Sequence, residues 1–208
     1  MGKYEPCYLK SVVIVHGKSE KQICEYIKSN LRLKMDIVSD KKGEKSIQIT
    51  SLKNILNNTV FGSYQSFIAN YEDVKHIKNG KKSKIDSSFR IFIIMDTDDC
   101  TEVQKREFIN KEMFKKHWAY EYIVPIFDSP DLESVLVKAN IKFEKKGMER
   151  KKEYIKIFPT EQKYISRENI ELKKFCDDLS SNLTGILSEP GDKLEARVTD
   201  SNRKVVKI

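Results

Sequence analysis

Residues Phe89 to Asp99 read FRIFIIMDTDD. From Phe89 to Met95 every position but Arg90 is apolar, and isoleucine dominates; such a run fits a strand covered on both faces, not one wetted at alternate residues. It stops at Asp96, Asp98 and Asp99, so the strand delivers carboxylates at its carboxyl end. Ser11 to Val15 (SVVIV) repeats the pattern in shorter form. Behind it come HGKSE and then Ile23, Tyr26, Ile27 and Leu31, spaced as an apolar stripe on a helix for which Ser19 is the expected cap. Past the acids, Thr101 is placed to cap a helix reaching about Lys116, with Val103, Ile109, Met113 and Phe114 on its apolar face. Tyr120 to Ile126 (YEYIVPI) reads as the next strand. Strand and helix units in series predict an α/β fold: a parallel-sheet core of about four strands flanked by helices, receiving its ligands beyond the carboxyl ends of the strands.

Between the two apolar runs the pattern is weaker. A polar stretch, Ser39 to Lys45, leads to an expected short strand at Ser46 to Thr50, then to helical stretches at Leu52 to Leu56 and Tyr64 to Ile77. Lys78 to Lys84 (KNGKKSK) reads as a basic loop containing a glycine. After Asp128-Ser129-Pro130 the pattern turns helical, with segments near 131–139, 149–157 and 168–179. The expected organisation is therefore an α/β core over 1–127 and a mainly helical C-terminal extension over 128–208, packed on the core.

The chain has 208 residues, 39% of them hydrophobic and 34% charged, polar for a globular protein yet too rich in Ile, Phe and Tyr for a disordered one. No apolar run approaches the ~20 residues of a membrane helix, and MGKYEPCYLK lacks the apolar stretch of a secretory signal; a cytoplasmic protein without membrane association is expected. Cys7, Cys24, Cys100 and Cys176 form no CxxC pair, so they read as reduced thiols. The net charge of +8 favours phosphates or acidic partners. Two blocks carry it: five lysines without an acid from Val74 to Ile85, and seven Lys/Arg against three Glu from Ile141 to Phe158.

Alternate residues of an extended chain share a face, so Asp96 and Asp98 can point together into the crevice, where hard oxygen donors suit Mg²⁺ (or Mn²⁺). The same acids can instead form a turn and cap the next helix. Gly17 allows a sharp turn at the end of the first strand, in front of a helix whose N-terminus offers NH groups to a phosphate. There is neither a GxxxxGK[ST] nor a GxGxxG fingerprint. Glu20 is a metal ligand or an acid favoured by the helix dipole. His16 is a base, a metal ligand, a phosphate contact or a hydrogen-bonded structural residue. Glu133, with Asp128 and Asp131 nearby, can supply a further acid from the adjacent strand end, or be solvated while Asp128 and Ser129 cap a helix. Lys18, Lys78, Lys81, Lys82 and Lys84 are candidate phosphate contacts lining the approach to Asp96, or solvated side chains. Tyr64, Phe67, Tyr71 and Tyr154 can stack on bases; the helical spacing of the first three equally suits a core.

In this order, VVIVHGKSE followed by IFIIMDTDD resembles the Toprim domain of topoisomerases, bacterial primases and nucleases of the overcoming-lysogenization-defect type, whose first strand ends in hhhhEGxxD/E and third in hhhDxD. The following PIFDSPDLESVL is similar to a segment of Toprim-containing phage-defence proteins, including the RloB-like ones, so that the resemblance covers about 11–127 and its continuation. It implies a Mg²⁺-dependent, nucleic-acid-processing protein, foremost a nuclease of an antiphage defence system. Asp96, Asp98 and Glu20 would hold the metal, Gly17 would shape the loop, and His16 or Glu133 would handle protons. His16 stands where the family has a glutamate, and an imidazole brings no negative charge to a hard cation. The alternatives are a catalytically inactive Toprim-like module that binds nucleic acid (DNA or RNA) or a partner protein, and a phosphatase of the haloacid-dehalogenase type, whose motif also begins hhhhDxD.

Overall fold

In the computed structural model, which describes residues 8–31, 34–79, 82–128 and 131–134, the two apolar runs pair with each other. β1 (Ser11–Val15) lies parallel to β5 (Arg90–Asp96) with Ser11 opposite Arg90 and Val15 opposite Ile94. All five residues of β1 and the five inner residues of β5 are buried, as continuous apolar runs require when both faces of a sheet are covered. β2 (Met35–Val38) flanks β1 and β6 (Ile123–Asp128) flanks β5, giving a four-stranded parallel sheet in the order β2-β1-β5-β6. Pro125 is tolerated because β6 is an edge.

α1 (Lys18–Leu31) packs against β1 and β2 and buries Ile23, Cys24 and Ile27. The other face of the sheet presents Val12, Ile14, Ile91, Ile93 and Met95 to the main core, which also takes residues of α2 (Leu52–Leu56), α3 (Tyr64–Asn70) and α4 (Glu102–Ile109). Phe67 is its hub: fully buried, with its ring 4.7 Å from Tyr71, 5.0 Å from Trp118 and 5.7 Å from both Phe61 and Phe89. The helical spacing of Phe67 and Tyr71 thus serves the core. Tyr154 lies outside the described residues.

Several expectations are corrected. The second strand of the sheet is Met35–Val38, and Ser46 to Thr50 forms no strand: Ile47 donates one backbone hydrogen bond to His16 O (2.7 Å), after which reciprocal bonds between Gln48 and Ser51 close a 3₁₀ turn. Of the expected basic loop Lys78 to Lys84, the described residues are strand: Lys78 and Asn79 belong to β3 (His76–Asn79) and Lys82 to Lys84 to β4 (Lys82–Ile85), which pair antiparallel. α3 ends at Asn70 and does not reach Ile77, because Tyr71 leaves helical geometry (φ −122°) and Val74 bridges to Leu9. Thr101 caps α4 in a reciprocal box with Gln104, but the helix stops at Ile109, broken by Lys111 in the left-handed region (φ 61°). Ser19 lies inside the first turn of α1 and not at its cap. The expected helical extension lies, from residue 135 onward, outside the described residues.

Because Phe67 touches four rings at once, Phe67→Ala should cost roughly 3–5 kcal/mol in urea unfolding followed by circular dichroism. A loss below about 1 kcal/mol, a level typical of exposed sites, would show that this cluster is not the packed hub.

Candidate functional site

The chain leaves β1 for β2 on one side and later returns to β5 on the other, so the crevice beyond the carboxyl ends of β1 and β5 is the switch point where ligands bind in open α/β sheets. The register decides what meets there. His16, the residue after β1, donates its backbone NH to Ile94 O (2.8 Å), which sets it beside the end of β5. Its Nε2 stands 3.7 Å from Asp96 Oδ2, wider than a hydrogen bond. On the other side of β5, Asp128 is the cross-strand partner of Asp96, and the Thr97 hydroxyl donates to Asp128 O (2.9 Å), tying the two strand ends together.

Glu20 closes the site from α1. Its side chain is 5% exposed, and its Oε2 accepts a hydrogen bond from Gly17 N (2.9 Å); the first turn of α1 is thereby capped by its own glutamate. Gly17 contributes this NH and not an unusual turn: it is absent from the positive-φ residues, and an added Cβ would sit at ordinary contact distance from Glu20 Oε2 and Ser46 Oγ (3.4 and 3.5 Å).

Two buried carboxyl groups, Glu20 and Asp128, and the half-buried Asp96 therefore meet at one end of the sheet. Burial is the main cause that pushes the Asp96 carboxyl up to about 9, reinforced by the negative charges of Glu20, Asp128, Asp98 and Glu133. Burial likewise raises Glu20, against the hydrogen bonds it accepts and the nearby His16, and raises Asp128 far above the carboxylate range, with Glu20, Asp131 and Glu133 adding to it. Asp96 Oδ1, both carboxylate oxygens of Asp128 and His16 Nδ1 have no hydrogen-bond partner among the described residues. Buried polar atoms left in this condition are costly. Hard oxygen donors in a negative, water-poor setting fit a divalent cation in chemistry and charge. Their spacing is not that of a closed ligand sphere: among the described residues no three His, Cys, Asp or Glu side chains are grouped to hold an ion.

Of the residues expected from the sequence, His16, Glu20 and Asp96 come together, and half-buried Glu133 stands close enough for Glu20, Asp96 and Asp128 all to feel its charge. Asp98 does not join the buried acids. The strand ends at Asp96, the alternation that would carry both acids to one face ends with it, and Asp98 lies exposed in the following turn. Lys18 is exposed in the first turn of α1. Lys84 is exposed on β4, next to Ile85 whose carbonyl accepts from the Tyr122 hydroxyl. That places it at the amino ends of β5 and β6, away from Asp96, so it does not line the approach to the acids. Lys81 and the side chains of Lys78 and Lys82 lie outside the described residues. The residue that sequence reasoning undervalued is Asp128. Asp131, not Asp128, accepts from the helical NH of Ser134 (2.7 Å), and the signal for Asp128 is its place at the end of a strand that pairs with β5.

In comparisons with protein-family models, with curated proteins and with solved structures, nothing matches this chain. Among the described residues no helix is long and apolar enough to cross a membrane.

The buried carboxylates set the pH response of the metal-free protein. With Asp96 raised to about 9 against roughly 3.9 in an unfolded chain, the folded state keeps a proton that the unfolded state has released across that window. Stability falls as pH rises through it. The melting midpoint in EDTA should drop between about pH 5 and about pH 9, and Asp96→Asn should flatten the drop; a parallel curve for the variant would show that Asp96 does not titrate there.

Proposed function

We propose that this protein is a Mg²⁺- or Mn²⁺-dependent nucleic-acid-processing protein, foremost a Toprim-type nuclease of an antiphage defence system that hydrolyses phosphodiester bonds in the cytoplasm. The observation that carries the proposal is the gathering of buried Glu20 and Asp128 with half-buried Asp96, the two aspartates keeping oxygens without a hydrogen-bond partner among the described residues, at the switch point of a parallel sheet. The strand bearing the DxD run is also the third of that sheet in chain order, as the Toprim pattern requires. A phosphatase of the haloacid-dehalogenase type would carry the motif on its first strand.

Asp96, Asp128 and Glu20 would hold the cation, with Asp98 and Glu133 at the margin. When bound, a divalent ion polarises a phosphoryl oxygen and lowers the pKa of a bound water. The chain's own part is to orient and to exclude solvent: the Gly17 NH fixes the Glu20 carboxylate, the Thr97 hydroxyl fixes the end of β6, and His16 is placed beside Asp96 to take up or return a proton. DNA or RNA would be the substrate, and a second protein of the defence system would govern access to it. The imidazole of His16 where the pattern has glutamate favours a second reading, a catalytically inactive module that binds nucleic acid or a partner.

Purified protein given Mg²⁺ or Mn²⁺ should cleave single- or double-stranded DNA or RNA, and Asp96→Ala should abolish the cleavage; unchanged activity in that variant overturns the assignment. An inert parent with an active His16→Glu variant would establish the module reading instead. Independently of activity, Mn²⁺ should raise the melting midpoint of the parent, since a ligand at a hundredfold its Kd contributes about 2.7 kcal/mol, and Asp128→Asn should lose most of that rise.

A further inference from the structure

At the other end of β6 from the acids, a pocket of about 570 Å³ opens between the β3–β4 hairpin and the segment that leads into β6. Tyr64, Trp118, Tyr120 and Tyr122 line it, with Lys84 and Glu121 among its other walls. All four aromatic side chains are half-buried, and both charged ones are exposed.

The polar ends of three of these rings are already engaged. The Tyr64 hydroxyl donates to Ser83 O (3.1 Å), the Tyr122 hydroxyl to Ile85 O (3.3 Å) and Trp118 Nε1 to Phe61 O (2.6 Å). These bonds tie three of the rings to the backbone and leave their ring surface, not their hydrogen-bonding groups, to meet a ligand. Tyr64 and Trp118 stand edge to face with centroids 5.6 Å apart, and the Lys111 ammonium lies 4.6 Å from the centre of the Tyr120 ring. Rigid aromatic surface with committed polar ends suits a flat partner recognised by its face, whatever the pattern on its edge.

Charge narrows the choice of partner. Of the described lysines near the hairpin, Lys75 is paired with Asp86 (3.1 Å), while Lys84, at the pocket wall, has no acidic partner among the described residues. A cation beside a cluster of aromatic rings fits a base with its phosphate attached.

We propose that this pocket takes an unpaired nucleobase of a single-stranded nucleic acid, its ring against Trp118 and Tyr120 and its phosphate at Lys84. The inference rests on the nucleic-acid reading above and adds to it the strandedness of the ligand and a second contact region. β6 spans Ile123–Asp128, so at about 3.3 Å per residue the pocket and the acids lie roughly 20 Å apart, a distance that one single strand can bridge.

Trp118 is the chain's single tryptophan, so its fluorescence reports on this pocket alone. The full chain is titrated in EDTA, where no cleavage intervenes, with a thymidine oligomer of about a dozen nucleotides, with the corresponding duplex, and with a tyrosine-containing peptide. Fluorescence anisotropy of the labelled oligomer is followed in parallel. The oligomer should quench Trp118; Tyr120→Ala should weaken its binding roughly tenfold; and Lys84→Ala should reduce the slope of log K against log salt by about 0.7. Tyr120→Phe should bind as the parent does, which separates lost ring surface from a lost fold. If the oligomer binds while Trp118 emission and the affinities of both alanine variants stay at parental values, the pocket lies off the path although the nucleic-acid reading survives. If no oligomer or duplex binds, that reading and this inference fall together. Equal quenching by duplex overturns the single-strand assignment, and quenching by the peptide alone assigns the pocket to a protein.

Discussion

The parallel pairing of β1 with β5 is the constraint from which the rest of the molecule follows. Both strands are apolar at consecutive positions and buried on both faces, so neither can slip by one residue without exchanging the side chains of its two faces. With Val15 locked opposite Ile94, the first polar residues beyond each run must emerge side by side. His16 and Asp96 are neighbours for that reason. The same logic applied across β5 and β6, where Met95 faces Phe127 and Asp96 faces Asp128, brings in the third strand end. Hydrophobic burial, which has no chemical preference of its own, thus positions the groups that do.

The cost of this arrangement falls on the carboxylates. Each is desolvated by the sheet end and repelled by the others, and among the described residues only Glu20 has an NH to offset its charge. A protein selected for stability alone would place apolar or hydrogen-bonded residues here, because buried unpaired charge is among the most destabilising features a fold can carry. Strongly perturbed acids gathered in one crevice are what functional sites present. The Thr97 hydroxyl and the Gly17 NH are small restraints by comparison, yet each removes a degree of freedom from an acid or from the strand that carries it.

What was legible in the sequence is what burial writes there continuously. SVVIV and FRIFIIM announce doubly covered strands, and Thr101 announces the start of a helix. β2 was hidden because MDIV is short, lies at a sheet edge and carries Asp36, whose carboxylate accepts from the Tyr71 hydroxyl. SIQIT imitated a strand for a physical reason: Ile47 and Ile49 are both buried in the core, so the alternation is real, but the backbone satisfies itself through one bond to His16 and a 3₁₀ turn in place of a ladder. The hairpin was hidden by its lysines, since polar strands outside the core leave no apolar pattern. Asp128 could be found in the sequence but not weighed, because its importance depends on a register that pairs residues 32 positions apart.

His16 is the residue at which local pattern and site chemistry pull in different directions, and electrostatics offers a reason for it. Around Asp96 the chain already gathers the charges of Glu20, Asp128, Asp98 and Glu133. A carboxylate at position 16, where the His16 Nε2 stands 3.7 Å from Asp96 Oδ2, would add one more anion to the most crowded point of the site and would repel the very groups it adjoins. An imidazole adds none, and when protonated it opposes them. The acid at the end of β6 adds a buried carboxylate from the opposite side of β5, so the imidazole at the end of β1 and the buried Asp128 at the end of β6 together set the charge about Asp96.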